Sequence, residues 1–392
     1  MTKKRILILG AGTYQTRLIQ YASSAGYEVH VASIPGPYPG IEIADNFHSV
    51  DTTDSEGILQ LAIELQIDGI LTTGSDVCVP SIGHVVDKLG LPGTGYKASL
   101  RSMDKRKMKQ SFHDHAVPSP LFEVVTSKEE AASAATRIGF PCAIKAPDSS
   151  GSRGVSKAND ESMVMAAVDD AFEVSRCGEI VIESWIEGEE FGAQAIVVGS
   201  ELRCLMLHSD TVTDPPRRIP IGHGSPHPKE NELIGPTTNA VEAAVKALGI
   251  KDAICNVDLI LTDKGPMILE IGARMGGTCI PEVCGTWWDV NLYGIALDLA
   301  TGTEPQIPDA PMGEPCAAHL LWSEKNGIFR GHSELDEHLQ WAIDIKEGAQ
   351  IYKFTSGNLR IGDVIVTANT VEEAEERVNY AASTFRGELN VE

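Results

Sequence analysis

Over the first ninety positions the apolar residues recur in two alternating rhythms. Short runs such as RILILG (5–10), YEVHVAS (27–33) and DGILTTG (68–74) read as β-strands. Between them, stretches with apolar residues three or four apart, near Thr16 to Ala25, Ser55 to Leu65 and Pro80 to Leu89, read as helices. Strands alternating with helices predict a small, doubly wound parallel sheet. The turn-rich GLPGTGY (90–96) closes that unit. One helix is expected over 98–115, stopped by VPSP, and the strands FEVV and PCAIKA flank a helix over 127–139. Further strands follow at EIVIESWI, EFGAQAIVVG and LRCLMLHS, then a Pro-rich loop, a helix from Thr237 to Leu248, and the strands CNVDLILT and PMILEIGA. A helix from Val371 to Ser383 opens with a capping box, Thr370 and Glu373. The stretches 210–235 and 275–290 read as irregular, and Trp287 and Trp288 read first as core packing, with a pocket wall as the alternative.

One hairpin brings chemistry into the pattern. In NVDLILTDKGPMILE two buried-looking runs are joined by TDKG, and a turn centred on Lys264 would set Asp258 opposite Glu270. Directly opposed side chains on neighbouring strands lie about 5 Å apart, so two ionised carboxylates there repel unless a cation lies between them. A divalent metal resolves the conflict, and Mg²⁺, which fills its remaining positions with water and phosphate, suits a nucleotide triphosphate. Arg274, four residues past Glu270 and followed by Gly276 and Gly277, offers a planar fork to another anion.

Cations lie upstream. Lys145 sits inside an apolar strand, which is costly unless an anion meets it. The loop after it, Ser149 to Gly154, is not a Walker A motif, but the backbone N–H groups of Ser150, Ser152 and Arg153 can close on phosphates. The strand ending in Glu183 runs into Ser184, Trp185 and Ile186, a backbone edge able to pair with adenine, and Glu190 can accept from ribose hydroxyls. The first turn, GAGTYQT, lacks a dinucleotide fingerprint: Gln15 stands at the third glycine position, and Ser33 and Ile34 end the second strand where an acid belongs.

Charge narrows the partners. With 55 acidic against 32 basic residues the formal charge is −23, which repels nucleic acid and anionic membrane surfaces. No apolar run suggests a signal peptide or a membrane span, and the eight cysteines form no CxxC pair, so a reduced, cytoplasmic protein is expected.

Together these residues, in this order, resemble the ATP-grasp superfamily over about residues 1–390, an approximate span read as organisation along the chain. The resemblance implies an α/β protein with an ATP-grasp fold: an N-terminal Rossmann-like parallel α/β domain (1–95), a central lid (96–185), a nucleotide, metal and substrate part (186–310), and a C-terminal α+β part (311–392). It places Lys105 (or Lys107, because DKRKMK offers several registers) and Lys145 on the ATP phosphates, with the lid loop Ser150, Gly151, Ser152 and Arg153. It places Glu183, Ser184, Trp185 and Ile186 at adenine, Glu190 at ribose, and Asp258 and Glu270 on Mg²⁺ or Mn²⁺. Arg274 would sit near the transferred group, with Gly276 and Gly277 beside the substrate. One position departs from the family's ExNxR signature: Gly272 stands where an asparagine supplies a further metal ligand. The form ExGxR followed by glycines is similar to the amino-acid and dipeptide ligase branch, as is GHGSP, in which His223 would donate to a developing charge on an acyl phosphate. The expected activity joins a carboxylate, such as an amino acid, to an amine with formation of ADP. The rivals are an enzyme that activates bicarbonate and, because of Gly272, an ATP-binding module without chemistry. A homodimer is the expectation from general frequency.

Overall fold

The computed structural model describes residues 3–148, 154–214, 218–332 and 335–392. The chain begins with β1 (Arg5–Leu9), α1 (Thr13–Ser24), β2 (Glu28–Ser33), α2 (Pro39–Ile43), β3 (Asn46–Ser49), α3 (Ser55–Leu65), β4 (Gly69–Leu71) and α4 (Val79–Leu89). The strands form a parallel sheet in the order β3-β2-β1-β4. Helices cover both of its faces, so β1 reads as an unbroken apolar run: Ile6 and Ile8 pack towards α1, Leu7 and Leu9 towards α3 and α4.

Where one helix was expected over 98–115 there are two, α5 (Tyr96–Met103) and α6 (Lys105–Asp114). Asp104 breaks the run. Its backbone is extended, and its side chain accepts from the Arg106 N–H at 3.0 Å as the N-cap of α6. Lys105 therefore begins a new helix, and Lys109, one turn later, shares its face.

A second sheet, ordered β5-β8-β6-β7, follows: β5 (Phe122–Val125), α7 (Lys128–Ile138), β6 (Cys142–Lys145), β7 (Val155–Ala158), α8 (Glu161–Val174) and β8 (Ile180–Ser184). Both helices bury alanine-rich faces on it, Ala131, Ala134 and Ala135 from α7 with Ala167 and Ala171 from α8.

The third sheet is antiparallel and has eight strands, ordered β13-β12-β9-β10-β11-β14-β18-β16. In chain order its region holds β9 (Glu189–Val198), β10 (Glu201–Val212), β11 (Pro220–Ser225), α9 (Glu230–Leu248), β12 (Ala253–Thr262), β13 (Gly265–Gly272), α10 (Ile280–Trp288), α11 (Leu292–Ala300) and β14 (Cys316–Leu321). After these come β15 (Gly327–Ile328), β16 (Gln340–Ile343), β17 (Gln350–Ile351), β18 (Gly362–Thr367) and α12 (Val371–Glu388). One face packs on α9 through Ala193, Val257 and Leu259; the other packs at one end on α10 and α11 through Met206, Val283 and Leu292.

Parts of both expected irregular stretches form regular elements. GHGS is strand β11, held between β10 and β14, although its composition is poor in strand formers. Pairing on both edges decides its conformation. Helix α10 spans most of 275–290, with Pro281 in its first turn, where a missing N–H costs nothing. Helix α9 starts seven residues before Thr237 and carries Pro236 inside it. Trp288 is buried among the α10 core residues.

The hairpin keeps the expected acid pair for a different reason. Thr262 pairs with Gly265 and Leu259 with Ile268, so the turn is centred between Asp263 and Lys264. A bulge between Asp258 and Leu259 then shifts the register by one and sets Asp258 opposite Glu270.

Candidate active site

Side chains alternate along a strand, so the residues of one face can be followed across the large sheet. Glu270 pairs with Asp258, Asp258 with Gly192, and Gly192 with His208. One step along, Gly272 pairs with Asn256 and Asn256 with Gln194. On β10 and β11, Asp210 pairs with His223. The open end of this face thus carries Glu270, Asp258, His208, Asp210 and His223 in one band. A side chain at 192 would interrupt it, since a Cβ there would lie 2.2 Å from His208 Cε1. Asp258 opens to solvent, yet protein surrounds its other sides; burial, with Glu270 next, pushes its carboxyl up to about 7. Two hard oxygen donors that repel one another suit a divalent cation.

Lysines stand over the band. Lys105 Nζ lies 3.2 Å from Glu270 Oε1, and burial disfavours its charge while Glu270 more than restores it, so its pKa is raised. Lys145 Nζ lies 2.8 Å from Glu183 Oε2. A third lysine escaped sequence reasoning: Lys109 is buried, with Nζ 3.4 Å from the same Glu183 oxygen. Its spacing of four from Lys105 was the available signal. Burial pushes Lys109 down to about 8, which leaves it charged at neutral pH. Burial would raise the Glu183 carboxyl, but Lys109 and Lys145 outweigh it and hold it below its ordinary range. Helix α6 thereby ties the large sheet, through Lys105, to the second sheet, through Lys109. Lys107, the alternative to Lys105, instead points to Asp104 at 3.8 Å and is half exposed.

The adenine edge is more occupied than the sequence suggests. The Glu183 side chain serves the lysines, the Ser184 N–H donates to Leu121 O at 2.9 Å, and the Trp185 N–H donates to Pro141 O at 3.1 Å. Those two amides are not free for a base. Ile186 continues the edge beyond β8, and Lys157 Nζ stands 4.3 Å above the Trp185 ring. Glu190, at the start of β9, pairs with Arg218 at 3.1 Å. Ser150, Gly151, Ser152 and Arg153 lie outside the described residues.

Arg274 is partly buried and half engaged: Nη2 donates to Asp76 Oδ2 at 2.7 Å and Nη1 to Met275 O at 3.3 Å, while Nε has no hydrogen-bond partner among the described residues. Gly276 and Gly277 are accounted for by packing. The Gly276 N–H donates to Gln194 Oε1 at 2.9 Å, and a Cβ there would meet Asn256 Oδ1 at 2.7 Å. A Cβ on Gly277 would meet the Tyr14 ring at 3.2 Å.

His223 is not the loop residue its neighbours suggest. It is buried in β11, its Nδ1 2.7 Å from Asp210 Oδ1, and His208 Nδ1 lies 2.9 Å from the same oxygen. Burial would raise the Asp210 carboxyl, but the two imidazoles hold it well below the usual range. An ionised carboxylate only accepts, so both rings donate from Nδ1 and present Nε2 as an acceptor when neutral. Both Nε2 atoms are buried without a hydrogen-bond partner among the described residues. Donation from His223 Nε2 requires the imidazolium form.

Comparison with known proteins gives this site relatives. Residues 102–278 match the family model described as an ATP-grasp domain. The chain is 30% identical over 211 residues to D-alanine–D-alanine ligase of Pseudomonas entomophila, a match that spans 50% of the chain and 63% of that ligase. It superposes on phosphoribosylglycinamide synthetase of Anaerococcus prevotii with a TM-score of 0.83 and 27% identity, covering 100% of both chains. The biotin carboxylase domain of Hydrogenobacter thermophilus 2-oxoglutarate carboxylase, solved with MgADP and bicarbonate, shares the fold at 18% identity, 100% and 91% coverage and a TM-score of 0.80. Residues 102–278 therefore carry an ATP-grasp domain, and the chain is similar to ADP-forming ATP-grasp ligases that join carboxylates to amines. Among the described residues no helix is long and apolar enough to cross a membrane.

Proposed function

We propose that this chain is an ADP-forming ligase that joins a small carboxylate of amino-acid type to an amine through an acyl phosphate. One observation carries the reading: the opposed acids Asp258 and Glu270 lie beside two buried lysines, Lys105 and Lys109, a partly buried third, Lys145, and an arginine whose fork is only half used.

In the first step a substrate carboxylate oxygen attacks the γ-phosphorus of ATP. A P–O bond forms, the bond to the β–γ bridging oxygen breaks, and ADP departs with that electron pair. In the second, the amine nitrogen attacks the acyl carbon, a C–N bond forms, and inorganic phosphate leaves while the amine gives up its proton. Lys105 and Lys145 are assigned to the phosphates, with Lys109 adding charge behind Glu183. Asp258 and Glu270 are assigned to Mg²⁺ or Mn²⁺, which supplies charge neutralisation at the phosphates when bound. Arg274 offers its unused Nε to the group in transfer, and the adenine and ribose would lie along Ile186 and Glu190. At an effective dielectric near 20, a cation about 4 Å from developing charge contributes on the order of 4 kcal/mol before desolvation. Catalysis would rest on positioning and charge, not on a protein nucleophile.

The test is ADP release from the full chain with Mg²⁺ and ATP, over amino acids offered singly, in pairs and with other amines, followed by product mass. Release that needs an acid and an amine, with a product mass equal to their sum less water, is expected. Release with bicarbonate alone, or tight ATP binding with no release across the panel, would overturn the reading.

A further inference from the structure

The glycine that departs from the family signature has a neighbour that explains it. Gly272 ends β13 on the face that carries Glu270, two residues on, where a side chain would project beside the acid pair. A Cβ built at 272 would lie 2.8 Å from Asp76 Oδ1. The space in front of Gly272 is therefore filled by a carboxylate oxygen from the loop between β4 and α4, at little more than the reach of an asparagine side chain from that Cβ. We infer that Asp76 takes the place of a side chain at 272 and supplies the third protein ligand, beside Asp258 and Glu270, to the divalent cation of the ATP complex. The inference rests on the ligase reading above.

The placement of Asp76 is built into the fold. Its loop, between β4 and α4, is stitched to the segment after β13: Thr73 bridges Met275, the Gly74 N–H donates to Met275 O at 3.0 Å, and Thr73 Oγ1 donates to Gly276 O at 2.8 Å. From beneath, the Gln15 side chain donates to Thr73 O. The Val79 N–H then closes the loop on Asp76 O at 3.0 Å. Arg274 Nη2 holds one carboxylate oxygen, Oδ2, at 2.7 Å, and the other, Oδ1, is the one that faces Gly272. Asp76 also lies near enough to Lys105 and Asp258 for its charge to act on both. A carboxylate gives a hard cation one more negative charge than an asparagine would, and Arg274 offsets that charge while the cation is absent.

The experiment is Mn²⁺ titration of the full-length chain with and without ADP, read from the free Mn²⁺ signal in electron paramagnetic resonance. Asp76→Ala should weaken Mn²⁺ in the ADP complex by about 10–100-fold. Gly272→Asn alone should also weaken it, because the new amide collides with Asp76. The double variant Asp76→Ala with Gly272→Asn should recover to within about threefold of the wild type, a non-additivity expected only if the two side chains compete for one position. Asp76→Asn keeps the shape and the Arg274 bond and should lose affinity through charge alone, so it replaces Asp76→Ala if that variant does not fold. Unchanged Mn²⁺ affinity in the Asp76 variants, or a double variant no tighter than Asp76→Ala, would reduce Asp76 to a prop for Arg274 and overturn the inference. A wild-type chain that fails to bind Mn²⁺ with ADP would instead overturn the ligase reading beneath it.

Discussion

Two charge networks in this molecule, each only partly shielded from solvent, differ in the cations they use. At the candidate site, three lysines lean on Glu270 and Glu183. Where α1 meets α10 and β18, two arginines do the work. Arg17 reaches Glu282 at 3.1 Å and Asp363 at 2.7 Å with separate nitrogens, and Arg360 reaches Asp344 at 2.8 Å and Asp363 at 3.6 Å. A guanidinium whose prongs are all matched is fixed in direction, so it locks elements together; an ammonium is a compact point charge on a flexible stem and can turn to a new anion. The arginine network therefore reads as structure and the lysine network as a site held ready. Arg274 stands between the two kinds, an arginine with a prong to spare.

Four measurements break or sharpen that contrast. The largest effect is expected from Glu270→Ala and Lys145→Ala, each of which should cut ADP formation by at least about a thousandfold, the scale of lost transition-state charge stabilisation, and move the melting temperature by only a few degrees. Wild-type turnover in either would end the assignment. Next, Arg17→Ala should cost about 3 kcal/mol by leaving Glu282 and Asp363 without their shared partner. At roughly 2–4 °C per kcal/mol the melting point should fall by about 10 °C, with turnover of the folded protein largely kept. A stable but inactive Arg17 variant would erase the distinction.

The third measurement uses pH. Lys109 is held near 8, below the 10.5 of a free lysine, so ADP formation should decline as pH rises through about 8. Lys109→Met should run about 10–100-fold slower, the loss of one charge-assisted contact, and show no such limb. Stability should move the opposite way. Between pH 8 and 10.5 the unfolded chain binds the extra proton, so the Lys109 contribution favours folding increasingly as pH rises, and urea titrations of the wild type and Lys109→Met at both ends of that window measure it. A limb that survives in the variant belongs to another group. The smallest effect is expected from Asp210→Asn, which can donate to an imidazole as well as accept from one and so frees the tautomers of His208 and His223. Turnover should drop by about tenfold, the low end for a general acid–base contribution, with nucleotide affinity unchanged; loss of nucleotide affinity would place the pair elsewhere in the cycle.

How much of this was legible follows from which forces act locally. The parallel sheet was readable because burial on both faces leaves an unbroken apolar run in β1. The acid pair was readable because register propagates from a turn, although the turn sits half a residue from where TDKG suggests and the bulge at Asp258 makes up the difference. Lys109 was hidden by reading one helix through Asp104; once that residue is seen as a cap, the spacing of four to Lys105 becomes informative. His223 was misplaced because PIGHGS has no strand propensity of its own and is held by neighbours distant in sequence. Asp76 had no local signal at all. It lies 198 positions from Arg274, and only the stitched loop brings the two together.

Gly192 carries a lesson for anyone wishing to alter the chain's choice of reactants. A methyl group there would strike the imidazole of His208 2.2 Å away, so even alanine would push that ring aside and close the groove between it and Asp258. Mutagenesis libraries aimed at a new specificity should leave this one codon untouched and draw their diversity from the residues around the site.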